Sequence, residues 1–247
     1  MSVTVPLRRA EQARALMLEL FPQGFEEVDH EGSVELAAYT DPGGEERLMK
    51  VFTGADAYDV ESGWEERWRE FHKPVRVGPL WVGPPWEDPP ADATAVVIDP
   101  GRAFGTGAHP TTQLCLEALI DLERGSLLDV GCGSGVLSIG AALLGYGPVT
   151  GIDTDPTAIE ATRENADANG VAVEARHDDG TAAALPEADV TVANISLEGV
   201  NALRPRSGVL VTSGYLVSER PELPGYVHAG RRQLDGWAAD VFRRGSE

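Results

Sequence analysis

The sequence of 247 residues predicts an α/β fold in which a mostly parallel sheet ends in an antiparallel hairpin. From about residue 93, short apolar runs alternate with helical patterns, which is typical of parallel strands joined by crossover helices. Near the C-terminus, Asp235-Gly236 separates strand-like residues 226–234 from residues 237–242, and this dipeptide is a strong hairpin signal. A glycine-rich turn between a strand and a helix is the third observation.

The first 60 residues predict a small α+β unit. Strands are predicted over residues 2–7, 24–28, 33–39 and 47–52, and a helix over residues 8–20. Turn chemistry such as Asp-Pro-Gly-Gly separates these elements. The unit contains no cluster of reactive side chains, so its residues indicate no chemistry of their own.

Residues 61–92 are predicted to connect this unit to the rest of the chain. A helix is predicted over residues 61–72, where Trp64 and Trp68 lie at helical spacing. Such a stripe is more typical of packing than of ligand binding. The following residues are rich in proline and glycine, which disfavours regular structure apart from a strand over residues 75–82.

The remaining residues, 93–247, predict alternating strands and helices. Strands are predicted over residues 95–98, 127–130, 149–153, 171–175, 190–195 and 208–213, and helices over residues 110–122, 136–144 and 156–169. The last helix is the best marked, with Asp155 as its N-cap, Pro156 in its first turn and Gly170 as its C-terminal stop.

The most informative segment joins a buried strand to the helix that follows it. It runs from Leu127 to Gly135, and its glycines Gly131, Gly133 and Gly135 permit a sharp turn and the close approach of a ligand. Val136 occupies the third glycine position of the dinucleotide-binding pattern, which disfavours a nicotinamide dehydrogenase.

Two further features support a ligand site at this turn. Asp153 ends the next strand, 22 residues after Gly131, where α/β folds place an acid that binds ribose hydroxyls. A second glycine-rich loop, residues 99–112, runs into a helix N-terminus, which attracts carboxylates. Its Thr111 and Thr112 either bind a ligand or cap the helix. These features together favour a cofactor site over a tight turn beside a capping aspartate.

These segments resemble the PrmA family of class I S-adenosylmethionine (SAM) methyltransferases. The resemblance rests on AFGTGAHPTT (residues 103–112), LLDVGCGSGVLSIGAALLG (127–145), GIDTDPTAIEATRENADANGV (151–171) and DVTVANI (189–195). It implies a Rossmann-like, mostly parallel seven-stranded sheet with a C-terminal antiparallel hairpin, and SAM as the methyl donor. It also implies methylation of lysine ε-amines and an α-amine of a large-subunit ribosomal protein, the eleventh in the usual naming.

The resemblance also implies a function for each part of the chain. Residues 1–60 would recognise the ribosomal protein, residues 61–92 would form a linker helix and connection, and residues 93–247 would form the SAM domain. Asn194 and Phe104 are predicted as catalytic residues. The predicted SAM-binding residues are Gly105, Thr106, Thr111, Thr112, Asp129, Gly131, Gly133, Gly135, Asp153, Asp178 and Asn194.

The reasons for the last two residues differ. Asn194 ends an apolar strand, where α/β folds place ligand chemistry, and its amide oxygen can accept a hydrogen bond from a neutral amine. Asp178 follows a strand at the place where many methyltransferases bind the adenine amino group. Its neighbour Asp179 is the alternative for that contact.

Composition narrows the remaining choices. The net charge of −20 opposes binding of a phosphate backbone. No membrane-spanning run or signal peptide is evident, and two cysteines cannot build a disulfide scaffold. The histidines lack metal-like spacing. We therefore expect a cytoplasmic protein without a metal site or membrane contact and with no requirement for direct nucleic-acid binding. We also expect a monomer, because domain mobility suits a bulky substrate.

Two other functions fit these observations. One is a related methyltransferase that acts on another protein, such as an electron-transfer flavoprotein, or on a small amine. The other is a SAM-binding module without catalysis.

Overall fold

The computed structural model describes residues 2–10, 13, 16–17, 20, 26–30, 32–38, 42–52, 73–99, 107–181 and 185–245. The chain divides into two compact units, Met1–Arg67 and Trp68–Glu247. The boundary falls within the predicted connecting segment. The helix predicted over residues 61–72 lies outside the described residues.

The smaller unit contains a three-stranded antiparallel sheet. Its strands are β1 (Ser2–Pro6), β2 (Glu26–His30) and β3 (Ser33–Ala37), in the order β1–β3–β2. Val34 and Leu36 on β3 are buried and alternate with half-buried neighbours, as expected for a strand with one covered face. Helix α1 (Pro42–Val51) follows the sheet.

The strand predicted over residues 47–52 was wrong, because these residues form the end of α1 and the residue after it. Leu48 is buried and Phe52 packs on the same core, whereas Met49 and Val51 are exposed. Leu48 and Phe52 are four residues apart, which is the period of a helix. In a strand, Lys50 would point to the same side as these two residues.

The larger unit begins with a second small sheet. Its strands are β4 (Val75–Val77), β5 (Leu80–Gly83) and β6 (Thr94–Val97). The single strand predicted over residues 75–82 is therefore two antiparallel strands, because the chain reverses at Gly78-Pro79. β5 and β6 run parallel to each other.

A seven-stranded sheet forms the centre of the larger unit. Its strands are β7 (Leu127–Val130), β8 (Val149–Asp153), β9 (Glu174–His177), β10 (Val190–Asn194), β11 (Val209–Leu216), β12 (Tyr226–Leu234) and β13 (Trp237–Arg244). Their order is β12–β13–β11–β10–β7–β8–β9, and every pair from β11 to β9 is parallel. β13 runs antiparallel to both β11 and β12. The sheet predicted from the sequence is thus confirmed.

Helix α2 (Pro110–Asp121) precedes β7. Three further helices each join two strands of the sheet, namely α3 (Val136–Leu143) after β7, α4 (Pro156–Ala168) after β8 and α5 (Leu197–Ala202) after β10. Every residue of β7 is buried, as expected for a central strand covered on both faces. The core includes Leu116 and Leu119 from α2 and Ile139 from α3.

Local hydrogen bonding and turn geometry determine where two of these elements begin or end. β9 begins at Glu174 rather than Val171, because the Val171 N–H donates to the Ala166 carbonyl and closes the end of α4. Asp235 and Gly236 both have positive φ, as a type I′ turn requires, so the predicted hairpin is confirmed. Among the described residues, no helix has the length and apolar character needed to span a membrane.

Candidate functional site

A cavity of about 760 Å³ lies at the carboxyl ends of β7, β8 and β10. This edge of a parallel sheet is where α/β folds bind ligands. The cavity brings together seven of the predicted site residues, namely Thr111, Thr112, Gly131, Gly133, Asp153, Asp178 and Asn194. Phe104, Gly105 and Thr106 lie outside the described residues.

The glycine turn after β7 forms one wall of the cavity. Gly131, Gly133 and Gly135 all have positive φ, a conformation that side chains strongly disfavour. A Cβ atom on Gly131 would lie 2.4 Å from Ile195 Cγ2, so the space beside this glycine is already occupied. Gly135 does not line the cavity, because it packs against Thr162 on α4.

The turn is fixed by hydrogen bonds from three side chains. The Gly133 N–H donates to Asp153 Oδ2 at 2.9 Å, which ties the turn to the end of β8. From α4, Thr162 Oγ1 donates to the Gly133 carbonyl at 3.0 Å, and Asn165 Nδ2 donates to the Ser134 carbonyl at 2.9 Å. The backbone of the turn is therefore held in place on both sides.

Asp153 has a second fixed contact. Its Oδ1 accepts a hydrogen bond from the Asp155 N–H at 3.0 Å. The carboxylate is half-buried and lines the cavity at the end of β8. Each carboxylate oxygen has two lone pairs, so the group can still accept hydrogen bonds from a ligand.

Asp129 is placed beneath the turn rather than in the cavity. Its side chain is 0% exposed, and its Oδ2 accepts hydrogen bonds from Ser138 N at 3.1 Å and Ser138 Oγ at 2.7 Å. Within the described part of the chain, Oδ1 has no partner. Burial raises the pKa of Asp129 to about 7, against the opposing effect of the Ser138 hydrogen bonds. This residue therefore anchors α3 and supports the turn from below.

The N-terminus of α2 forms another wall. His109 is its N-cap, with Nδ1 accepting from the Thr111 N–H at 3.4 Å and lying 2.7 Å from Thr111 Oγ1. Thr111 thus takes part in capping, whereas Asn194 Nδ2 donates to Thr112 Oγ1 at 3.4 Å. His109 also lines the cavity.

Three residues that the sequence did not indicate complete the end of the cavity near Asn194. Ile195 and Gly214 line it, and so does Trp237, whose ring lies edge-on to His109 with centroids 4.9 Å apart. Gly214 has a φ of +102°, and a Cβ there would lie 2.1 Å from the Ile195 carbonyl oxygen. No local signal marks these residues, because they meet only through the register of β10, β11 and β13.

The opposite end of the cavity carries the acidic loop after β9. Asp178 and Asp179 both line it. Asp178 Oδ1 accepts from the Asp179 N–H at 2.8 Å, and Asp179 Oδ1 accepts from Thr181 N at 2.9 Å and Thr181 Oγ1 at 2.7 Å. No group of three or more His, Cys, Asp or Glu side chains in the described ranges is placed to hold a metal ion.

Comparison with known proteins identifies the family. The protein-family model for ribosomal protein L11 methyltransferase (PrmA) matches residues 18–223 of this chain. A ribosomal protein L11 methyltransferase of Aeromonas hydrophila subsp. hydrophila is 43% identical over 209 residues, which cover 75% of this chain and 70% of that protein. The corresponding protein of Tolumonas auensis is 43% identical over 188 residues, 67% of this chain and 62% of that protein. The chain thus spans less than two thirds of the length of the Tolumonas relative.

The fold leads to the same family. The crystal structure of ribosomal protein L11 methylase from Lactobacillus delbrueckii subsp. bulgaricus matches with a TM-score of 0.60 and 26% identity. The match covers 70% of this chain and 99% of that structure. The class I methyltransferase fold predicted from the glycine turn and the hairpin is confirmed. The chain belongs to the ribosomal protein L11 methyltransferase (PrmA) family.

Proposed function

We propose that the protein is a SAM-dependent N-methyltransferase that methylates lysine ε-amines, and an α-amine, of ribosomal protein L11. One observation carries the proposal. A single cavity joins a glycine turn and an acidic strand end, which suit a nucleoside, to the Asn194–Thr112 pair, which suits an amine. The substrate named for the relatives, ribosomal protein L11, supplies the acceptor.

The residues present fit SAM. The turn at Gly131 and Gly133 exposes backbone to the cavity. The Asp153 carboxylate is placed to accept hydrogen bonds from ribose hydroxyls. Asp178 is assigned to the adenine amino group, and Thr111 and Thr112 lie at a helix N-terminus suited to the methionine carboxylate. Asp129 and Gly135 support this site without lining it.

SAM supplies a methyl group that is already activated by its sulfonium, so the chain needs no nucleophile of its own. Asn194 orients the amine. Because its Nδ2 donates to Thr112 Oγ1, its amide oxygen is directed to accept a hydrogen bond from the acceptor N–H. This contact aims the nitrogen lone pair, and Phe104 is assigned to the enclosure of the methyl group.

The acceptor must lose a proton before it can react. A lysine amine has a reference pKa of about 10.4, and removal from water lowers that value. Ile195 and Trp237 provide an apolar wall for this desolvation, and the described lining residues include no lysine or arginine. Water carries the released proton away.

The same proposal assigns a function to each part of the chain. Residues 1–60 recognise the ribosomal protein, residues 61–92 connect, and residues 93–247 bind SAM and the acceptor amine. The net charge of −20 suits a basic protein partner and opposes contact with a phosphate backbone. We assign the reaction to the cytoplasm, with the protein acting as a monomer.

The test is methyl transfer in a purified system. The protein is incubated with isotope-labelled SAM and ribosomal protein L11, and the modified residues are read by mass spectrometry. We expect labelled lysines, and we expect Asn194→Ala to lower turnover about 100-fold while SAM affinity changes by less than about threefold.

Parallel reactions separate the alternatives. Labelling of electron-transfer flavoprotein or free lysine, with none on ribosomal protein L11, would indicate a different acceptor. SAM binding without any transfer would indicate a non-catalytic module. Normal turnover by Asn194→Ala would refute the orienting role of that residue.

A further inference from the structure

An apolar strip borders the acceptor end of the cavity. Leu216 ends β11 and Leu234 ends β12, and both pair directly with Trp237, the first residue of β13. Directly paired residues project from the same face of a sheet. Since Trp237 lines the cavity, the strip begins at the cavity wall and continues outward. These three residues are called the lip below.

The lip is exposed at Leu216, whose side chain is 47% accessible to solvent. Exposed apolar surface continuous with a binding cavity is a common mark of an interaction site. The contact of Trp237 with His109 places this surface beside the start of α2, on the same side as Thr112 and Asn194. The exposed surface therefore adjoins the place assigned to the amine.

The turn after Leu216 is firmly anchored, so the exposure of this side chain is built into the fold. Leu216 N donates to Glu219 Oε2 at 2.6 Å, and Val217 N donates to the Gly236 carbonyl at 2.9 Å. The guanidinium of Arg231 donates to the carbonyls of Val217 and Glu219, at 2.9 Å each.

Arg231 is itself fixed by a buried ion pair. Its side chain is 8% exposed, and its Nη2 lies 2.6 Å from Oδ2 of Asp240, which is fully buried. Tyr215 OH also donates to that carboxylate, at 2.8 Å. The backbone that presents Leu216 is thus connected to the interior of the sheet by charged hydrogen bonds, which are strong when buried.

The same hairpin offers an internal comparison. Val227 on β12 is 62% exposed and pairs with Arg243, which lies six residues after Trp237 on β13 and so on the same face. Arg243 also pairs with Val209, the first residue of β11, so Val227 lies at the opposite edge of the sheet from the cavity. Val227 therefore resembles Leu216 in exposure and chemistry but not in its distance from the site.

We propose that the lip binds the apolar surface of the protein substrate beside the acceptor amine. The four-carbon stem of the target lysine lies against Trp237, and an apolar side chain of the neighbouring substrate residue covers Leu216. A lysine that reaches Asn194 must carry its apolar stem across the rim, which the lip provides. This inference rests on the proposed methyl transfer.

The test compares Leu216→Ser with Val227→Ser, using ribosomal protein L11 as acceptor and calorimetry for SAM. We expect Leu216→Ser to raise the KM for the protein acceptor about tenfold, because an apolar contact is lost. The kcat and the Kd for SAM stay within about twofold. Val227→Ser leaves all three values unchanged, and Leu216→Met, which keeps the apolar surface, restores the KM.

Two results would overturn the inference while methyl transfer by the unaltered protein stands. One is an equal KM for Leu216→Ser and Val227→Ser. The other is a dimer in sedimentation that Leu216→Ser dissociates, which would make a second copy of the chain the occupant of the lip. An unaltered protein that binds SAM but labels no acceptor would instead refute the proposed function, and the inference with it.

Discussion

The two ends of the cavity are built in different ways. The end assigned to the methyl donor is built around one short turn, Gly131–Gly135, whose backbone is held by Asp153 and by α4. The end assigned to the acceptor is assembled from Asn194, Gly214 and Trp237, which come from three different strands. Local sequence sets the first end and strand register sets the second. We therefore expect mutations at the first to change binding and those at the second to change turnover.

Gly214→Ala offers the strongest challenge to this comparison. A Cβ 2.1 Å from the Ile195 carbonyl oxygen forces the backbone beside Asn194 to move. We expect turnover to fall about 100-fold or more, because a displacement of about 1 Å at a reacting group has that effect. SAM affinity is expected to change by less than about fivefold. Steady-state kinetics and calorimetry measure the two quantities.

Gly225→Ala is the matched control for that variant. Gly225 also has positive φ, but apart from its chain neighbours no atom of the described residues lies within 4 Å of a Cβ built there. It therefore carries only the conformational penalty, about 1 kcal/mol in the free energy of unfolding, and is expected to retain turnover. Equal loss of turnover in both variants would show that backbone strain, rather than the displacement of Asn194, is responsible.

Asp153→Ala probes the donor end. It removes the carboxylate that accepts from Gly133 N and that we assign to the ribose. We expect the Kd for SAM to rise about 30-fold, equivalent to about 2 kcal/mol, with kcat at saturating SAM largely kept. Calorimetric titration gives the affinity, and kinetics at high SAM concentration gives the kcat.

Asp155→Ala separates binding from local stability at the same place. Asp155 Oδ1 caps α4 by accepting from Thr157 N at 2.8 Å, and the residue is not among those that line the cavity. Its loss is expected to lower the free energy of unfolding by about 1 kcal/mol and to leave SAM affinity unchanged. Unchanged affinity in Asp153→Ala would contradict the ribose assignment.

Asp129→Asn tests the buried carboxyl group beneath the glycine turn through the pH dependence of stability. Burial raises the pKa of Asp129 to about 7, whereas in the unfolded chain this pKa is near 4. Between those values the folded state keeps a proton that the unfolded state has lost. The contribution of Asp129 to stability therefore falls as pH rises from about 4 to 7.

The asparagine variant does not titrate. We expect the free energy of unfolding of the unaltered protein, measured against Asp129→Asn, to fall by about 2–3 kcal/mol between pH 5 and pH 8. Urea denaturation of both proteins at the two pH values measures this difference. The lowered pKa of Asp240 acts in the opposite direction, but it does so in both proteins and cancels. A difference that does not vary with pH would contradict the raised pKa.

The contrast between the two ends also explains what the sequence was able to predict. The glycine turn, Asp153 and the Asp235-Gly236 hairpin are short patterns whose geometry is dictated by neighbouring residues. Asn194 could be predicted from the sequence because it ends an apolar strand. Each of these lies where the sequence indicated, at a strand end or in a turn.

Other features depend on distant parts of the chain. Trp237 reaches the cavity only because β13 returns beside β11, and Gly214 matters only because the Ile195 carbonyl lies against it. Asp129 was predicted as a ligand contact because the sequence pattern does not show that this side chain is buried under α3. Residues 47–52 were predicted as a strand, because a short apolar run fits the period of either element. Only the packing of the core shows which of these side chains are buried, and that spacing is helical.

The side-chain amide of Asn165 on α4 limits which changes in the neighbouring loops the protein can tolerate. Asn165 Nδ2 supports the glycine turn at the Ser134 carbonyl, while its Oδ1 accepts from Asp99 N, where the second glycine-rich segment begins. Two loops distant in the chain therefore depend on one side chain. An insertion or deletion that shifts either loop would break the attachment of that loop to Asn165. Transplanting either loop into a homologous scaffold would succeed only if α4 travelled with it.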